Sequence, residues 1–500
     1  MIRGSWWLVL SFVGILAASC GAFRRCVDGV TINVILLEDE ESPWSLKYVE
    51  KEIREAIKED TAINAAEAQL APLNVLTAPV FIRKHLEERR EPQLRLHTNT
   101  NPLSCLLLQG SDELGCAVLG PTCTLATFSI VDLEKGLGLS TPIMSAGSFG
   151  PSCDYTLNLQ RLLPPARKIS DFFIHFWKEK NTIKPEWKTA YVYKKPSNTE
   201  DCYWYMSALD ADGKFATNIS RTLLWKPEDV RDILSPQKNR TSNLFIMCGS
   251  PTDLLEVKNG SKSADSSEFL FVLIDLYNDV YYTNMSSLQE MKNVLVLTMP
   301  NSRKYTINSD LTDNNTMNDY MAAYHDSVLH IGQVMREIAA KNQTEIQQMD
   351  FVNVNYFRNT SFNGTAGDYK LDVHGDRDAN LSVIYTTTGN EYKVLFTFDT
   401  EYNQTKLVDK APSFIWGKRL PEYKPDTGKA NTHHLHTCLL VLHDRWEKKP
   451  IAFNKKSDYF RQILTNHSSY LKETAGTDFC PQVGELSCFS VNFFLPTNKL

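Results

Sequence analysis

Between Gly115 and Tyr155 the chain reads GCAVLGPTCTLATFSIVDLEKGLGLSTPIMSAGSFGPSCDY. CAVLG has the pattern of a buried strand ending on glycine, and TPIMSAGS that of a second strand running into a turn of small residues. A helix-length segment lies between them, so the stretch is a βαβ unit. Parallel strands of this kind need cover on both faces, which commits the chain to an α/β layer architecture. Strand ends followed by Gly and Ser let backbone amides approach a ligand, and open α/β sheets place their clefts there.

Other segments extend the pattern. VTINVILL, Val30 to Leu37, is a near-continuous apolar run rich in β-branched residues and reads as the first central strand. Ser42-Pro43 offers an N-cap and a first-turn proline, and Leu46, Val49, Ile53, Ile57 and Ile63 recur at helical spacing, predicting an amphipathic helix of roughly 25 residues. Leu73 to Ile82 reads as the next strand and Glu87 to Pro102 as a charged surface loop. Pro164 to Trp177 reads as a helix with Ile169, Phe172, Phe173, Phe176 and Trp177 on its apolar side. Thr189–Tyr193, Asn243–Cys248, Phe269–Asp275 and Asn293–Thr298 are further short strands flanked by helix-like segments. Five or more such strands alternating with helices over about 300 residues predict two Rossmann-like lobes rather than one sheet. Beyond them, Met317 to Ala340 is a long helix, and Asp368 to Val408 alternates like antiparallel strands, with Thr388-Gly389-Asn390-Glu391 as a hairpin turn.

The first 22 residues set the compartment. Arg3 precedes a 13-residue apolar core, Trp6 to Ala18, followed by small residues that suit a signal peptidase. That core is short of the roughly 20 apolar residues a membrane span needs. Asn-x-Ser/Thr acceptors stand at Asn218, Asn239, Asn259, Asn284, Asn314, Asn342, Asn359, Asn363, Asn380, Asn403 and Asn466, and the expected location is the secretory pathway and the extracellular space. Of 11 cysteines, all but Cys20 remain after signal removal, an even number suited to oxidised pairs. A net charge of −6 gives no nucleic-acid footprint.

No catalytic constellation emerges. Gly136 and Gly138 lack the third glycine of a dinucleotide loop. His433, His434, His436 and His443 cluster without cysteines or carboxylates at metal-ligand spacing. There is no Gly-x-Ser-x-Gly elbow and no phosphate-cradling loop. The expectation is a binding protein that needs no cofactor and no metal.

GPTCTLATFSI, STPIMSAGSFGPSCDY, LLPPARK, TEDCYWYMSALDA, LFIMCGSP, NVLVLT and FNGTAGDYKLDVHGDR together resemble the extracellular ligand-binding region of receptor guanylyl cyclases, on the branch that takes guanylin-type peptides. The resemblance covers about residues 26 to 421. It implies two Rossmann-like lobes of the type I periplasmic-binding-protein kind (ANF receptor ligand-binding region), joined by crossovers and held by disulfides. One lobe would comprise about 26–145 and 287–380, the second about 146–286 and 381–425, with 426–500 a divergent tail.

The same resemblance implies a Cys202–Cys248 disulfide. Cys123 is further assigned to Cys105, and Cys116 to Cys153. In the related natriuretic peptide receptors the amides of the GPxC turn hold a chloride; Thr122 replaces their glycine, which leaves an anion there open. The peptide site is expected in Thr386–Lys393 and Ala411–Pro421, with Tyr392, Phe414 and Trp416 as aromatic anchors and Lys393 and Arg419 as polar partners. A guanylin-type peptide and a second copy of the chain are the implied partners. After Pro421 the family continues into a membrane span, a kinase-like domain and a cyclase domain, none of which is legible here. From Lys418 to Arg461 ten Lys/Arg face five Asp/Glu instead. The alternative function is a soluble binding-protein-like module for a small metabolite or amino acid.

Overall fold

The computed structural model describes residues 31–36, 42–66, 76–77, 117–136, 140–178, 183–196, 198–211, 219–235, 240–259, 261, 264–265, 267–283, 287–305, 317–341 and 353–422. The expected signal, the loop from Glu87 to Pro102, Cys105, Cys116, the acceptors Asn218, Asn239, Asn284, Asn314, Asn342 and Asn466, the histidine cluster and the tail lie outside the described residues.

Two parallel sheets carry the fold. In the first, β1 (Thr31–Val34), β2 (Leu76–Thr77), β3 (Ala117–Leu119), β4 (Ile143–Ser145) and β5 (Leu159–Arg161) lie in the order β2-β1-β3-β4-β5. Every residue of β3, β4 and β5 is buried, including the polar Ser145, Gln160 and Arg161. Helix α1 (Leu46–Ala66) buries Val49, Ile53 and Ala56 along one stripe. It starts later than Ser42-Pro43 suggested: those residues form a turn in which Ser45 N–H donates to the Ser42 carbonyl at 2.9 Å, and Ser45 then accepts from Tyr48 and Val49. Helix α2 (Thr124–Gly136) connects β3 to β4 and completes the βαβ unit.

After β5 the chain crosses to a second sheet through α3 (Ala166–Lys178). There β6 (Thr189–Tyr193), α4 (Glu200–Ala211), β7 (Ser220–Leu224), α5 (Pro227–Leu234), β8 (Leu244–Cys248), α6 (Pro251–Lys258), β9 (Leu270–Ile274), α7 (Val280–Thr283) and β10 (Val294–Thr298) alternate as expected. Every residue of β8, β9 and β10 is buried. Helix α8 (Asp319–Lys341) then returns to pack on α1, with Arg336 Nη1 on Asp60 Oδ1 at 2.5 Å. Contact there is so close that a Cβ at Gly332 would stand 1.9 Å from Asp60 Oδ1. A small antiparallel sheet of β11 (Ser361–Gly364), β12 (Gly367–Leu371) and β13 (Arg377–Asp378) follows. The chain ends its described part in β14 (Asn380–Thr386), β15 (Tyr392–Asp399) and β16 (Gln404–Leu407), antiparallel strands that extend the second sheet beside β10. The second sheet therefore runs β16-β15-β14-β10-β9-β8-β6-β7. The β14–β15 hairpin turns at the expected residues, with Asn390 at φ 62°. Phe172 and Phe176 of α3 stack edge-on against Phe398 and Phe396 of β15, which seats α3 on this second sheet.

Two expectations need correction. The lobe boundaries differ: β5 belongs to the first sheet and β10 to the second. The physical reasons are local. Arg161 at the end of β5 bridges to Asp376 beside the first sheet, whereas β10, apolar from Val294 to Leu297, takes β9 and β14 on its two edges and cover on both faces. Cys153 is not paired with Cys116. It is a buried thiol packed with Val118, Ile130, Ile143 and Leu159, and its Sγ donates to the Thr124 carbonyl at 3.5 Å. Cys202 and Cys248 do form a disulfide, joining the first turn of α4 to the end of β8. Cys123 is also disulfide-bonded, to a cysteine outside the described residues. Among the described residues no helix is long and apolar enough to cross a membrane.

Candidate ligand-binding site

Parallel α/β sheets take ligands in the crevice outside the carboxyl ends of their strands. In this protein that crevice is occupied by the chain's own aromatic side chains. Phe149 follows β4, Tyr320 lies in the first turn of α8 and Trp44 in the turn before α1; Tyr205 comes from α4 and Tyr277 follows β9 on the opposite sheet. Phe149 stands edge-on to both Tyr205 (5.7 Å) and Tyr320 (6.3 Å), Trp44 packs on Tyr320 at 5.1 Å, and Tyr277 on Tyr320 at 6.1 Å. The Tyr205 and Tyr277 hydroxyls share a 2.9 Å hydrogen bond, and Tyr205 also donates to the Pro164 carbonyl at 3.0 Å. Burial raises both hydroxyls well above the ordinary phenol range. Such rings form a continuous apolar contact between the two sheets.

The GPxC turn sits beside this cluster. The Thr124 amide, the first of α2, donates to Glu200 Oε1 at 2.6 Å, and the Trp204 indole donates to the same oxygen at 3.3 Å. Thus the helix terminus that the family resemblance left open to an anion receives a carboxylate from α4. Burial pushes Glu200 up to about 7 despite its donors, and its second oxygen has no partner. Thr122 is occupied as well, its hydroxyl 2.7 Å from that of Tyr324.

The expected peptide segments come together at the far edge of the second sheet. Thr388 N–H donates to the Ser413 carbonyl at 2.9 Å, Ser413 N–H to Tyr385 Oη at 3.3 Å, and Tyr385 in turn to Asp409 Oδ2 at 2.7 Å. Within this assembly the five expected residues divide. Phe414 is 2% exposed and edge-on to Tyr385 at 4.8 Å, and Tyr392 is 7% exposed and edge-on to Tyr281 at 5.2 Å. Both are therefore corrected from anchors to core residues: the alternation of β15 turns Tyr392 inward, and the Phe414–Gly417 turn folds Phe414 under the segment. Trp416 is half-buried at 5.7 Å from Phe414, and its indole N–H is unpartnered. Lys393 and Arg419 are exposed. Trp416 packs its inner side against the core, whereas Lys393 and Arg419 reach the surface.

Where the chain crosses between sheets, buried ion pairs fix the connections. Arg161, 1% exposed, places Nε 2.5 Å and Nη2 2.7 Å from the two oxygens of Asp376, and reaches Asp154 at 2.7 Å. Arg167 pairs with Asp372 and Asp376, and Lys168 with Asp372 and Asp378. Burial alone would raise Asp372, but Lys168 and Arg167 hold it far below the usual carboxylate range. Alongside, Met299, Ser302, Tyr369, Arg377 and Glu401 border a cavity of about 620 Å³. Neither the crevice aromatics nor this network was read from the sequence. TEDCYWYM contains Tyr205 and Glu200, but spacing alone does not tell which side of α4 faces the other sheet.

A crevice between two parallel sheets, chain crossovers between them and an added antiparallel edge define a ligand-binding region of the type I periplasmic-binding-protein kind. Over most of its length the chain is similar to guanylyl cyclase C, which makes it a receptor-type ligand-binding region of the receptor guanylyl cyclases. It is 34% identical to guanylyl cyclase C of Sus scrofa over 434 residues, covering 84% of this chain and 39% of that protein. Against the Homo sapiens protein it is 34% identical over 426 residues, 83% of this chain and 38% of that protein. The chain thus spans less than half the length of these curated relatives. Atrial natriuretic peptide receptor 3 of Bos taurus is similar at 22% over 309 residues, 54% of each chain. No family model matches the sequence. Among solved structures, the leucine binding protein LivK of Thermotoga maritima aligns over 74% of this chain and 98% of its own at 13% identity and a TM-score of 0.44. The substrate binding protein LivJ of Streptococcus pneumoniae aligns over 76% of this chain and 99% of its own at 13% and 0.41.

Proposed function

We propose that this chain is the extracellular peptide-hormone-binding region of a guanylyl cyclase C-like receptor, and that its ligand is a compact disulfide-bonded peptide of the guanylin class. The observation that carries this reading is the narrowed crevice. Trp44, Phe149, Tyr205, Tyr277 and Tyr320 pack into the crevice outside β4 and β9 and reduce the space in which a small metabolite would be enclosed, which favours recognition on an external surface. The similarity to guanylyl cyclase C over 84% of the chain supports it.

Trp416, Lys393 and Arg419 serve as the contact residues, on a platform made rigid by Phe414, Tyr385 and the Thr388–Ser413 hydrogen bond. The chain acts by binding rather than by catalysis, as a homodimer. Peptide held against the hairpin edge changes the relative orientation of the two copies, and in the full-length protein a membrane span passes that change to a cyclase domain that makes cyclic GMP. The test is binding of a labelled guanylin-type peptide to the chain secreted from a eukaryotic host. Saturable binding supports the reading; no peptide binding, with tight uptake of a free amino acid, would replace it by the metabolite-binding alternative.

A further inference from the structure

We infer that His325 is a pH-sensitive clamp between helices α1 and α8, engaged when both ring nitrogens carry a proton and slackened when one proton is lost. The ring is buried where the two helices meet, and each of its nitrogens faces a carboxylate. Nδ1 stands 3.1 Å from Asp326 Oδ1 on α8, and Nε2 stands 3.5 Å from Glu59 Oε2 on α1. A neutral imidazole has one N–H and one lone pair, so either tautomer turns a lone pair toward a carboxylate oxygen. The doubly protonated ring donates to both.

The groups around the ring act in the same direction. Glu52, Glu55 and Glu59 recur at helical spacing along α1, and all three lie in the field of the imidazole. Glu52 is buried and pairs with Lys51 at 3.7 Å, while Glu55 pairs with Lys58 at 2.7 Å. Further along the same helix pair, Arg336 is committed to Asp60. On α8 itself the charged neighbour is Asp326, fully buried, which also accepts from the Thr365 amide at 2.8 Å, the Thr365 hydroxyl at 2.7 Å and the Ala366 amide at 2.9 Å. Those donors belong to the turn between β11 and β12. Tyr369 of β12 faces Asp326 and stays neutral, because burial raises its phenol well above the ordinary range. Burial alone would lower His325 as well, but Asp326, Glu59 and Glu52 outweigh it and hold the imidazole above its ordinary value.

His330, further along α8, shows the opposite balance. It is just as buried, edge-on to Phe357 at 5.4 Å and stacked on Phe362 at 5.3 Å, and its Nε2 lies 3.3 Å from the Thr360 hydroxyl. No carboxylate among the described residues pairs with it, and burial pushes it down to about 4. One helix thus carries a histidine that stays neutral and another that charges near neutrality.

The direction of the effect follows from linkage. Since His325 titrates above its unfolded value near 6.5, its contribution is full below about pH 6.5 and is lost as pH rises through the folded value. Losing the proton removes the attraction to Glu59, which belongs to α1, and weakens that to Asp326, which holds the β11–β12 turn. Both segments are therefore held most firmly in mildly acidic surroundings and loosen together in alkaline ones.

The test is amide hydrogen–deuterium exchange of the secreted chain at about pH 5.5 and about pH 8.5, corrected for the intrinsic pH dependence of exchange, with exchange at imidazole C2 read on the same digests. Peptides from α1 and from the β11–β12 turn should lose protection at least about twofold at the higher pH, and those from β8 and β9 should not. His325→Gln, which keeps an amide donor and cannot gain a proton, should abolish the difference. If that variant fails to fold, Glu59→Gln, at a half-exposed position, should lower the His325 midpoint and shrink the α1 difference. Protection of α1 that is independent of pH, a difference that survives His325→Gln or is unaltered in Glu59→Gln, or a His325 midpoint below about 6.5 overturns the inference.

Discussion

Replacing Cys202 and Cys248 together by alanine removes the one disulfide whose two ends are both described. The bond spans 46 residues of sequence. Closing a loop of that size lowers the entropy of the unfolded chain by an amount worth about 4 kcal/mol at 25 °C in the chain-entropy account. The two side chains are 5% and 2% exposed, so losing their sulfur atoms adds packing loss in the same direction, on the order of 1 kcal/mol. Against a typical total of about 5–15 kcal/mol, that is a large fraction. The consequence reaches the crevice as well, because Cys202 lies on the helix that carries Glu200 and Tyr205. The assay is urea unfolding of the secreted chain and its double variant, followed by tryptophan fluorescence. A lower midpoint, with a slope that steepens as the unfolded chain loses its cross-link, equivalent to about 4–5 kcal/mol, is expected. A loss below about 1 kcal/mol would refute the reasoning, showing that α4 is held by its packing alone.

Other consequences are open to direct measurement. Arg161→Met leaves Asp376 and Asp154 buried beside each other, and unfolding experiments should record a loss of about 3–5 kcal/mol. Asp372 and Asp376 have folded pKa values held below the unfolded value near 3.9, so their contribution is present above that pH and lost as pH falls below it; acid titration by circular dichroism should show unfolding there, and at higher pH in Arg161→Met. Glu200 has the opposite sign. Its folded pKa is raised from 4.5 to about 7, so its contribution is full below about 4.5 and is lost as pH rises through 7; Glu200→Gln, which keeps an acceptor for the Thr124 amide, should gain melting temperature over wild type at pH 8 and not at pH 4. Phe414→Ala should cost about 3 kcal/mol of stability, whereas Trp416→Ala, which removes a half-buried ring, should cost less and weaken peptide binding at least about thirtyfold.

Much of the fold was legible because buried parallel strands write themselves as unbroken apolar runs. TAYVY, LFIMC, LFVLI and VLVLT were found within a residue or two, as were the long helix of Met317 to Ala340 and the turn at Asn390. Sheet membership was not legible, since an apolar run does not state its neighbours: β10 was expected with the first lobe and pairs with β9 and β14. The start of α1 was misread because Ser-Pro is as good a turn as a helix cap. At the hairpin edge, aromatic residues were identified as a class, but only burial separates Phe414 and Tyr392, which lie in the core, from Trp416, which is half-buried against it. Cys153 followed the same logic. A small buried sulfur packs well without a partner, and parity of cysteines does not identify which ones pair.

The central claim is that ligand is taken on the hairpin edge and not in the crevice between the sheets. Isothermal titration of the secreted chain with a guanylin-type peptide, and separately with leucine and isoleucine, tests it most directly. The account predicts saturable heat with the peptide, abolished or strongly weakened by Trp416→Ala and retained in Glu200→Gln, and no heat with either amino acid. Binding of an amino acid, or peptide binding unaffected by Trp416→Ala together with Lys393→Ala and Arg419→Ala, would contradict it.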